Sequence, residues 1–226
     1  EEMDDNFIHM IEWLLYGTVD FDFISESLLP DLNMGQEEEK LLKVGAMKYD
    51  TVLVPNCLTL RNSTLEILEK FKERGGRVIF AGQLPKYADA YPADKCETVA
   101  FSKYRLLEAV KGARDIEVLE DDGKPSTNLI YQMREEGENR WLFLCHVNRT
   151  EKISDACIVI NELQERKKNQ DLPREEKLRI RIRGAWKVTV YDAMTGEIYP
   201  VNAEYHKGDT VLKRSMFDHD SLLLWL

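Results

Sequence analysis

The chain has 226 residues, of which 43% are hydrophobic and 32% are charged. This composition is that of an ordinary globular protein, and the length fits one large domain or two modest ones. The formal net charge of −10 is opposite in sign to the surface that phosphate binding requires, so we expect no nucleic-acid partner. No apolar run approaches the roughly 18 residues of a membrane span, so we expect no membrane partner.

The sequence does not begin with methionine, and its first ten residues, EEMDDNFIHM, lack the basic and apolar regions of a signal peptide. We therefore expect a piece of a longer protein, and its localisation stays unknown. The four cysteines form no Cys-x-x-Cys motif, which favours buried thiols over a redox or zinc site. They are Cys57, Cys96, Cys145 and Cys157.

The first half of the chain alternates predicted helices and strands. Apolar residues at helical spacing predict a helix over 6–16, and VDFDFI over 19–24 is a β-type run. A short edge strand and a buried strand at Thr51–Pro55 follow within 43–56. This order is typical of βαβ units around a parallel sheet.

The next helix is marked at both ends. Ser63 and Glu66 have the spacing of a capping box at its start, and Gly75-Gly76 predicts its end. The strand RVIFAG at 77–82 comes next. A helix over 102–112 and a fourth strand over 115–120 complete the predicted α/β region.

The pattern changes after the polar segment DDGKPST, 121–127, which we interpret as a linker. Short β-type runs with turn signals follow, and KLRIRIRG at 177–184 alternates charged and apolar residues with period two. These features predict an antiparallel β-sandwich. The predicted fold class is therefore α/β plus all-β, with an α/β domain at 1–122 and a sandwich at 123–226.

Cys57 follows a buried strand, where many α/β enzymes carry a nucleophile. A nucleophile elbow needs a sharp turn with small residues, yet no glycine lies between Val52 and Ser63. None of the four histidines is followed two residues later by Asp or Glu, the spacing of an amidotransferase-type triad. We favour a packing role for Cys57, and a cysteine amidase or peptidase remains the alternative.

Two further groups could carry chemistry. On a strand, Asp20 and Asp22 would be neighbours on one face, and a close pair of carboxylates can carry out acid–base or glycosidic chemistry. We favour the alternative that both aspartates lie at a solvent-exposed strand end while Phe21 and Phe23 face the core. His219 lies between two aspartates, and we favour a turn over a metal site because a metal needs converging ligands. No metal site is therefore predicted.

Ligands of open α/β sheets usually bind at the carboxyl ends of the strands. Asn56, Gly82 and Gln83 lie at those ends, so they are the candidate ligand-binding residues, where amides could hydrogen-bond a sugar or satisfy loop backbone. No glycine-rich phosphate loop occurs, which disfavours a nucleotide, and no cofactor is predicted.

The second half is rich in aromatic residues, which sugar-binding sandwiches use as stacking platforms. Core packing is the commoner role for such residues, and we favour it for each one here. The carbohydrate-binding interpretation stays open beside it. The residues are Trp141, Trp186, Tyr191, Tyr199, Tyr205 and Trp225.

Residues 14–85 resemble the class I glutamine-amidotransferase-like domain of large multidomain glycoside hydrolases, nearest to the bacterial α-L-rhamnosidase type, with a related domain in some β-galactosidases. Residues 186–226, with the hairpin YDAMTGEIYPV, resemble the sandwich that follows it. The positions on the first pattern are Asp20, Phe21, Asp22, Phe23, Tyr49, Val54, Pro55, Leu65, Leu68, Gly75, Gly76 and Gly82.

The resemblance implies a flavodoxin-like first domain whose first strand is missing here, and a non-catalytic, ancillary role. In such enzymes the catalytic carboxylates lie on a separate (β/α)8 barrel, expected upstream of Glu1 as a partner domain of the same chain. No catalytic residue is therefore assigned in this sequence. The expected roles are support of the barrel, shaping of the cleft rim or oligomerisation, with carbohydrate as the expected ligand.

Overall fold

The computed structural model describes residues 2–33, 40–85, 96–147, 175–217 and 220–226. The chain separates into two compact units. The first comprises Glu1–Leu14 and Phe21–Ala113, and the second comprises Leu15–Asp20 and Arg114–Leu226. Within the described residues, no helix has the length and apolar character needed to cross a membrane.

The first unit contains the helices and a small parallel sheet. Its helices are α1 (Glu2–Tyr16), whose last two residues group with the second unit, α2 (Leu29–Leu32), α3 (Asn62–Glu73) and α4 (Lys103–Ala109), with a 3-10 turn at Lys111–Ala113. Its strands are β1 (Leu42–Val44), β2 (Met47–Tyr49), β3 (Thr51–Val54), β4 (Arg77–Ala81) and β5 (Glu97–Val99).

The parallel sheet has the order β3-β4-β5, and α3 connects β3 to β4. Val52 pairs with Val78 and Val54 with Phe80, so the apolar side chains of both strands lie in register. Phe71 of α3 is fully buried in the same cluster. The predicted parallel sheet is therefore present. β1 and β2 form a separate antiparallel hairpin.

Helix α3 ends as predicted and begins differently. The N–H of Gly76 donates to the carbonyl of Phe71 at 3.0 Å and that of Gly75 to Lys72 at 2.9 Å, with Gly75 at φ +95°, as in a Schellman motif. The capping box is wrong, because the helix starts at Asn62 with Arg61 as its N-cap, so Ser63 lies inside the first turn.

The predicted strand over 19–24 is also wrong. Residues 19–25 form neither helix nor strand, and Asp20 groups with the second unit whereas Phe21 groups with the first. A segment whose two ends belong to different compact units has no continuous strand partner. Phe23 is 63% exposed and touches Phe7 and Phe21 rather than entering a core.

The second unit is built from antiparallel strands. They are β6 (Ile116–Glu120), β7 (Leu129–Glu136), β8 (Asn139–His146), β9 (Glu175–Ile182), β10 (Val188–Tyr191), β11 (Ile198–Val201), β12 (Glu204–His206), β13 (Asp209–Phe217) and β14 (Ser221–Trp225). They form a five-stranded sheet of order β11-β10-β14-β8-β7 and a four-stranded sheet of order β12-β13-β9-β6.

Strand β6 corrects the expectation of a fourth parallel strand. It pairs antiparallel with β9, with Val118 opposite Ile180, and therefore belongs to the four-stranded sheet. The helix–strand alternation before it could not distinguish a last parallel strand from a first antiparallel one. Residues 114–122 belong to the second compact unit by their contacts. The domain boundary at 122/123 remains a prediction.

The two antiparallel sheets share one core, as the predicted sandwich requires. Strand β9 alternates between buried Leu178, Ile180 and Ile182 and the outward residues between them, as the sequence predicts. The five-stranded sheet contributes Leu142 and Leu144 from β8 to the same cluster. The period-two pattern thus determines which side of β9 meets the other sheet.

Candidate functional site

The structure brings two of the three predicted ligand-binding residues together. Gly82 follows β4 at φ +98°, and its N–H donates to the carbonyl of Val99 at 2.8 Å. A Cβ placed on Gly82 would lie 3.4 Å from the Cβ of Asn56, so the two loops are in contact. Gln83 is exposed beside them. A ligand at Asn56, Gly82 and Gln83 remains a prediction.

Cys57 lies in the loop between β3 and α3, where it packs against the core of the first unit. Burial raises the pKa of its thiol, and the negative charge of Glu26 raises it further. Glu26 itself accepts a hydrogen bond from the backbone N–H of Arg61 at 3.1 Å, at the start of α3. A nucleophilic cysteine needs a lowered pKa, so these contacts favour the packing role.

The two aspartates considered for acid–base chemistry each have a tyrosine neighbour. The hydroxyl of Tyr49 donates to Oδ2 of Asp22 at 2.5 Å. Asp20 lies close enough to Tyr131 for its charge to raise the pKa of that phenol, after the larger effect of burial. Neither aspartate lies on a strand, so the predicted shared face does not form.

Three aromatic side chains of the second unit cluster on the outer side of the five-stranded sheet. We call Trp141, Tyr191 and Trp225 the aromatic face. Trp141 and Trp225 are directly opposite on β8 and β14, with ring centroids 4.5 Å apart, and the ring of Tyr191 lies 4.9 Å from that of Trp141. Their strand neighbours Leu142 and Leu224 are buried, so these rings point away from the core.

Apolar residues continue the aromatic face along the sheet. Leu223 of β14 pairs with Phe143 of β8 on one side and with Tyr191 of β10 on the other. Tyr191 in turn pairs with Ile198, which is 61% exposed. The result is an apolar surface bordered on the β7 side by the exposed Arg134, which pairs with Trp141.

One polar contact lies at the margin of the aromatic face. The indole Nε1 of Trp141 donates to Oε2 of Glu136 at the end of β7, at 2.8 Å. This bond fixes the orientation of the indole and leaves the central rings to interact through their apolar surfaces. Such a surface can stack against the C–H face of a sugar ring or against another apolar surface.

The predicted aromatic residues therefore divide into two groups. Trp186 and Tyr199 pack against the core, as expected, whereas the aromatic face lies on the opposite side. Tyr205 is exposed, and its hydroxyl donates to the carbonyl of Trp186 at 2.8 Å. In RWLFLCH both strand faces are apolar, so alternation alone could not assign Trp141 to one of them.

A metal centre has no candidate among the described residues, where no three His, Cys, Asp or Glu side chains converge. The histidine considered from the sequence, His219, lies outside the described residues, as does Cys157.

No family model matches the sequence, and no curated protein matches it. The structure is similar to that of a rhamnosidase from a Novosphingobium species, with a TM-score of 0.61 and 14% identity over 91% of this chain. It is also similar to alpha-L-fucosidase isoenzyme 2 from Paenibacillus thiaminolyticus, with a TM-score of 0.54 and 10% identity over 95% of this chain.

A third similar structure is an apo exo-carrageenase GH42 from Bacteroides ovatus, with a TM-score of 0.50 and 12% identity over 98% of this chain. All three proteins are glycoside hydrolases. The chain spans 19%, 44% and 26% of their respective lengths, in the order given. At these identities the likeness is one of fold.

Proposed function

We propose that this chain is an ancillary, non-catalytic region of a larger glycoside hydrolase. The observation that carries the proposal is that almost the whole chain matches a part of each of three such enzymes, while most of each enzyme lies outside the match. The first domain, 1–122, would be an amidotransferase-like, flavodoxin-like domain. The second, 123–226, would be the sandwich that follows it.

The chemistry of the described residues supports a non-catalytic role. Glycoside hydrolysis generally needs two carboxyl groups held on opposite sides of one glycosidic bond. Asp22 is engaged by Tyr49, and Asp20 neighbours Tyr131. The raised pKa of Cys57 disfavours the amidase alternative. We therefore assign catalysis to an upstream (β/α)8 domain of the parent chain, and support, cleft shaping or oligomerisation to this region.

The same comparison supports a proposal for the parent's substrate class. Two of the three similar enzymes are named for rhamnose and fucose, which are 6-deoxyhexoses. We infer that the parent hydrolyses α-L-linked 6-deoxyhexosides, with rhamnosides first.

The test compares two proteins from the same gene. The full open reading frame around residues 1–226 is expressed, and the 226-residue chain is expressed separately. We expect the long product to hydrolyse p-nitrophenyl α-L-rhamnoside or α-L-fucoside, and the 226-residue chain to hydrolyse neither. A reading frame that encodes only these residues, or hydrolysis by the 226-residue chain itself, would contradict the proposal.

A second candidate function is carbohydrate binding, and the aromatic face is the observation that favours it. Its rings lie on neighbouring strands and point away from the core, and Trp141 and Trp225 meet edge to face at 89°, so a sugar would stack on a single ring. A 6-deoxyhexose also presents a methyl group, which Leu223 and Ile198 could contact beside the rings. This function is compatible with an ancillary role in the parent enzyme.

Titration of the 226-residue chain with methyl α-L-rhamnoside, followed by tryptophan fluorescence, tests this candidate. Methyl α-L-mannoside is the matched probe, because it differs only by a hydroxyl on C6. We expect a saturable change with the rhamnoside and a weaker one with the mannoside. Tyr191→Ala should weaken binding about three- to tenfold, whereas Tyr104→Ala, an exposed tyrosine of α4, should not. Equal, unsaturable responses to both sugars would exclude this function.

A further inference from the structure

The second unit contains an open cleft of about 480 Å³ on the four-stranded sheet. Its floor is formed by β9 and β13, and one wall is formed by the end of β6 and the turn that follows it, residues 119–123. This volume is within the range of small-molecule sites. The cleft is distinct from the aromatic face, whose residues are on the five-stranded sheet.

The floor of the cleft concentrates positive charge. Arg179 of β9 and Lys213 of β13 are directly opposite in the strand register, and both are exposed on the side away from the core. Lys177, two residues before Arg179, lies on the same side. Like charges directly opposite on neighbouring strands repel each other, so this pairing is electrostatically unfavourable by itself.

Nearby groups offset this charge only in part. Oε1 of Glu204 accepts from Lys213 Nζ at 2.8 Å, and the Glu204 charge also interacts with Arg179. Arg214 also lines the cleft, but it pairs with the buried Leu178 on the inward side of β13, where its guanidinium donates to the hydroxyl of Tyr199 at 3.1 Å. On the outward side of the floor, Glu204 thus offsets only part of the charge of Lys177, Arg179 and Lys213, and an anionic group placed between Arg179 and Lys213 would reduce their repulsion.

The opposite wall has the chemistry of a hydroxyl acceptor. In the turn, Asp122 accepts from the backbone N–H of Lys124 at 2.9 Å and from its Nζ at 2.5 Å, so this carboxylate is occupied. Asp121 beside it is exposed and lines the cleft, whereas Glu120 pairs with the buried Leu178 on the side of β6 that faces the core. Leu119, which pairs with Arg179, adds an apolar surface next to the cationic floor.

We propose that this cleft binds an anionic saccharide, whose sulfate or carboxylate group lies between Arg179 and Lys213 while one of its hydroxyls donates to Asp121. Carboxylates on one wall and a net charge of −10 oppose a densely charged polyanion such as nucleic acid, but they suit a ligand with one charge and many hydroxyls. The choice of a saccharide as carrier of the anionic group rests on the proposed function.

The experiment is isothermal titration of the 226-residue chain at low ionic strength with three oligosaccharides of similar length. The probes are an oligogalacturonate, a sulfated galactan oligosaccharide and an uncharged galacto-oligosaccharide. We expect binding of at least one anionic probe, at least about tenfold tighter than that of the uncharged probe, with a loss of affinity as salt is added. The tighter anionic probe identifies the acidic group.

Two substitutions test whether the anionic probe binds in the cleft. Arg179→Met and Lys213→Met should each weaken the anionic probe about tenfold. Lys187→Met makes the same change of charge on an exposed residue outside the cleft and should leave affinity unchanged. Arg179→Met removes a like-charge pair, so its melting temperature should equal or exceed that of the unmodified chain. Lys213→Met also loses the exposed ion pair with Glu204 and should lower the melting temperature only slightly. Melting temperatures within these limits exclude loss of folding as the cause.

Several results would overturn the proposal. They are no binding of either anionic oligosaccharide, equal binding of the uncharged probe, or binding that Arg179→Met and Lys213→Met leave unchanged. Inorganic sulfate serves as a fourth probe: sulfate binding that depends on Arg179, without binding of either anionic oligosaccharide, would also overturn it. None of these results affects the proposed role in a hydrolase, which is tested by the hydrolytic activity of the long product.

Discussion

The two units of this chain are specified by different kinds of signal. The second unit is stabilised by a continuous hydrophobic core. Its strands alternate, so that each places leucine, isoleucine or valine on one side, and both sheets contribute to this core. The helix ends of the first unit depend on individual residues. Two glycines end α3, and the carboxylate of Glu26 accepts a hydrogen bond at its start.

The two units also differ in the apolar residues that they expose. The first unit leaves many large apolar side chains exposed, among them Ile8, Phe23 and Leu28. In the second unit some outward apolar residues lie beside the aromatic face, such as Phe143 and Ile198, and others lie elsewhere, such as Met194 and Phe217. A unit with a continuous core tolerates surface changes, whereas a unit that depends on single positions is sensitive to them. The following changes test that difference.

The largest effect is expected at a buried hydrogen-bonded pair in the second unit. Nε2 of His146 lies 2.9 Å from Oε2 of Glu176, with side-chain exposures of 0% and 5%, and the pair connects β8 of one sheet with β9 of the other. Glu176→Ala would leave the imidazole buried without this partner. We expect a loss of about 3–5 kcal/mol in the free energy of unfolding, measured by urea denaturation, because a buried hydrogen bond is lost and a cavity is left.

Glu204→Ala is the matched control for this change. It removes the same kind of side chain from an ion pair with Lys213 of similar length, 2.8 Å, but at 68% exposure. We expect a loss below about 1 kcal/mol. Equal effects of the two substitutions would mean that the core, rather than the buried pair, determines the stability of this unit.

The second effect is expected at the end of α3 in the first unit. A Cβ on Gly76 would lie 2.1 Å from the ring of Phe71, which is fully buried and cannot move aside. We expect Gly76→Ala to cost about 3 kcal/mol through overpacking. Hydrogen exchange followed by mass spectrometry should show faster exchange in α3 and β4, with β9 unchanged.

Gly75→Ala separates steric from conformational cost at the neighbouring residue. Gly75 has φ +95°, and a Cβ added there would meet no atom within 4 Å, so its only penalty is the left-handed backbone. That penalty is about 1 kcal/mol. A larger loss of unfolding free energy for Gly75→Ala than for Gly76→Ala would mean that the contact with Phe71 does not restrict the residue at position 76.

These differences explain which features the sequence could predict. Alternation predicted the strands of the second unit and the inward side of β9, because side-chain burial there follows a period of two. The glycine pair predicted the end of α3, since few residues tolerate a positive φ. Both signals are local, and each is contained in a few consecutive residues.

The errors arose where distant residues decide the outcome. The start of α3 depends on Glu26, far away in the sequence, which replaces the expected capping box. β6 joins β9 rather than β4, and residues 19–25 have no strand partner. At the candidate sites, the contact of Asn56 with Gly82 could be predicted, because ligands and loops meet at the carboxyl ends of parallel strands. The aromatic face could not be predicted, because the sequence does not indicate which side of β8 faces the core.

The third prediction concerns the thiol of Cys57. Its raised pKa means that the unfolded chain loses this proton first as pH rises. The protonated thiol therefore contributes stability below the ordinary thiol pKa, and this contribution is lost as pH rises toward the folded pKa. We expect alkylation of Cys57 by iodoacetamide to be slower than that of a free model thiol near neutral pH. Cys57→Ser provides the background rate, and rapid alkylation at neutral pH would restore the nucleophile interpretation.

The smallest effect is expected at the contact between Tyr49 and Asp22, which lies on the surface of the first unit. Tyr49→Phe removes one exposed hydrogen bond of 2.5 Å and keeps the ring. Water can replace the lost donor, so we expect a cost of at most about 1 kcal/mol, measured as a small fall in melting temperature. Tyr104→Phe, at a residue that is 71% exposed, should have no effect. A cost as large as that of Gly76→Ala would mean that this contact holds the segment after Asp20 in place, and the first unit would then depend on its surface contacts as much as on its core.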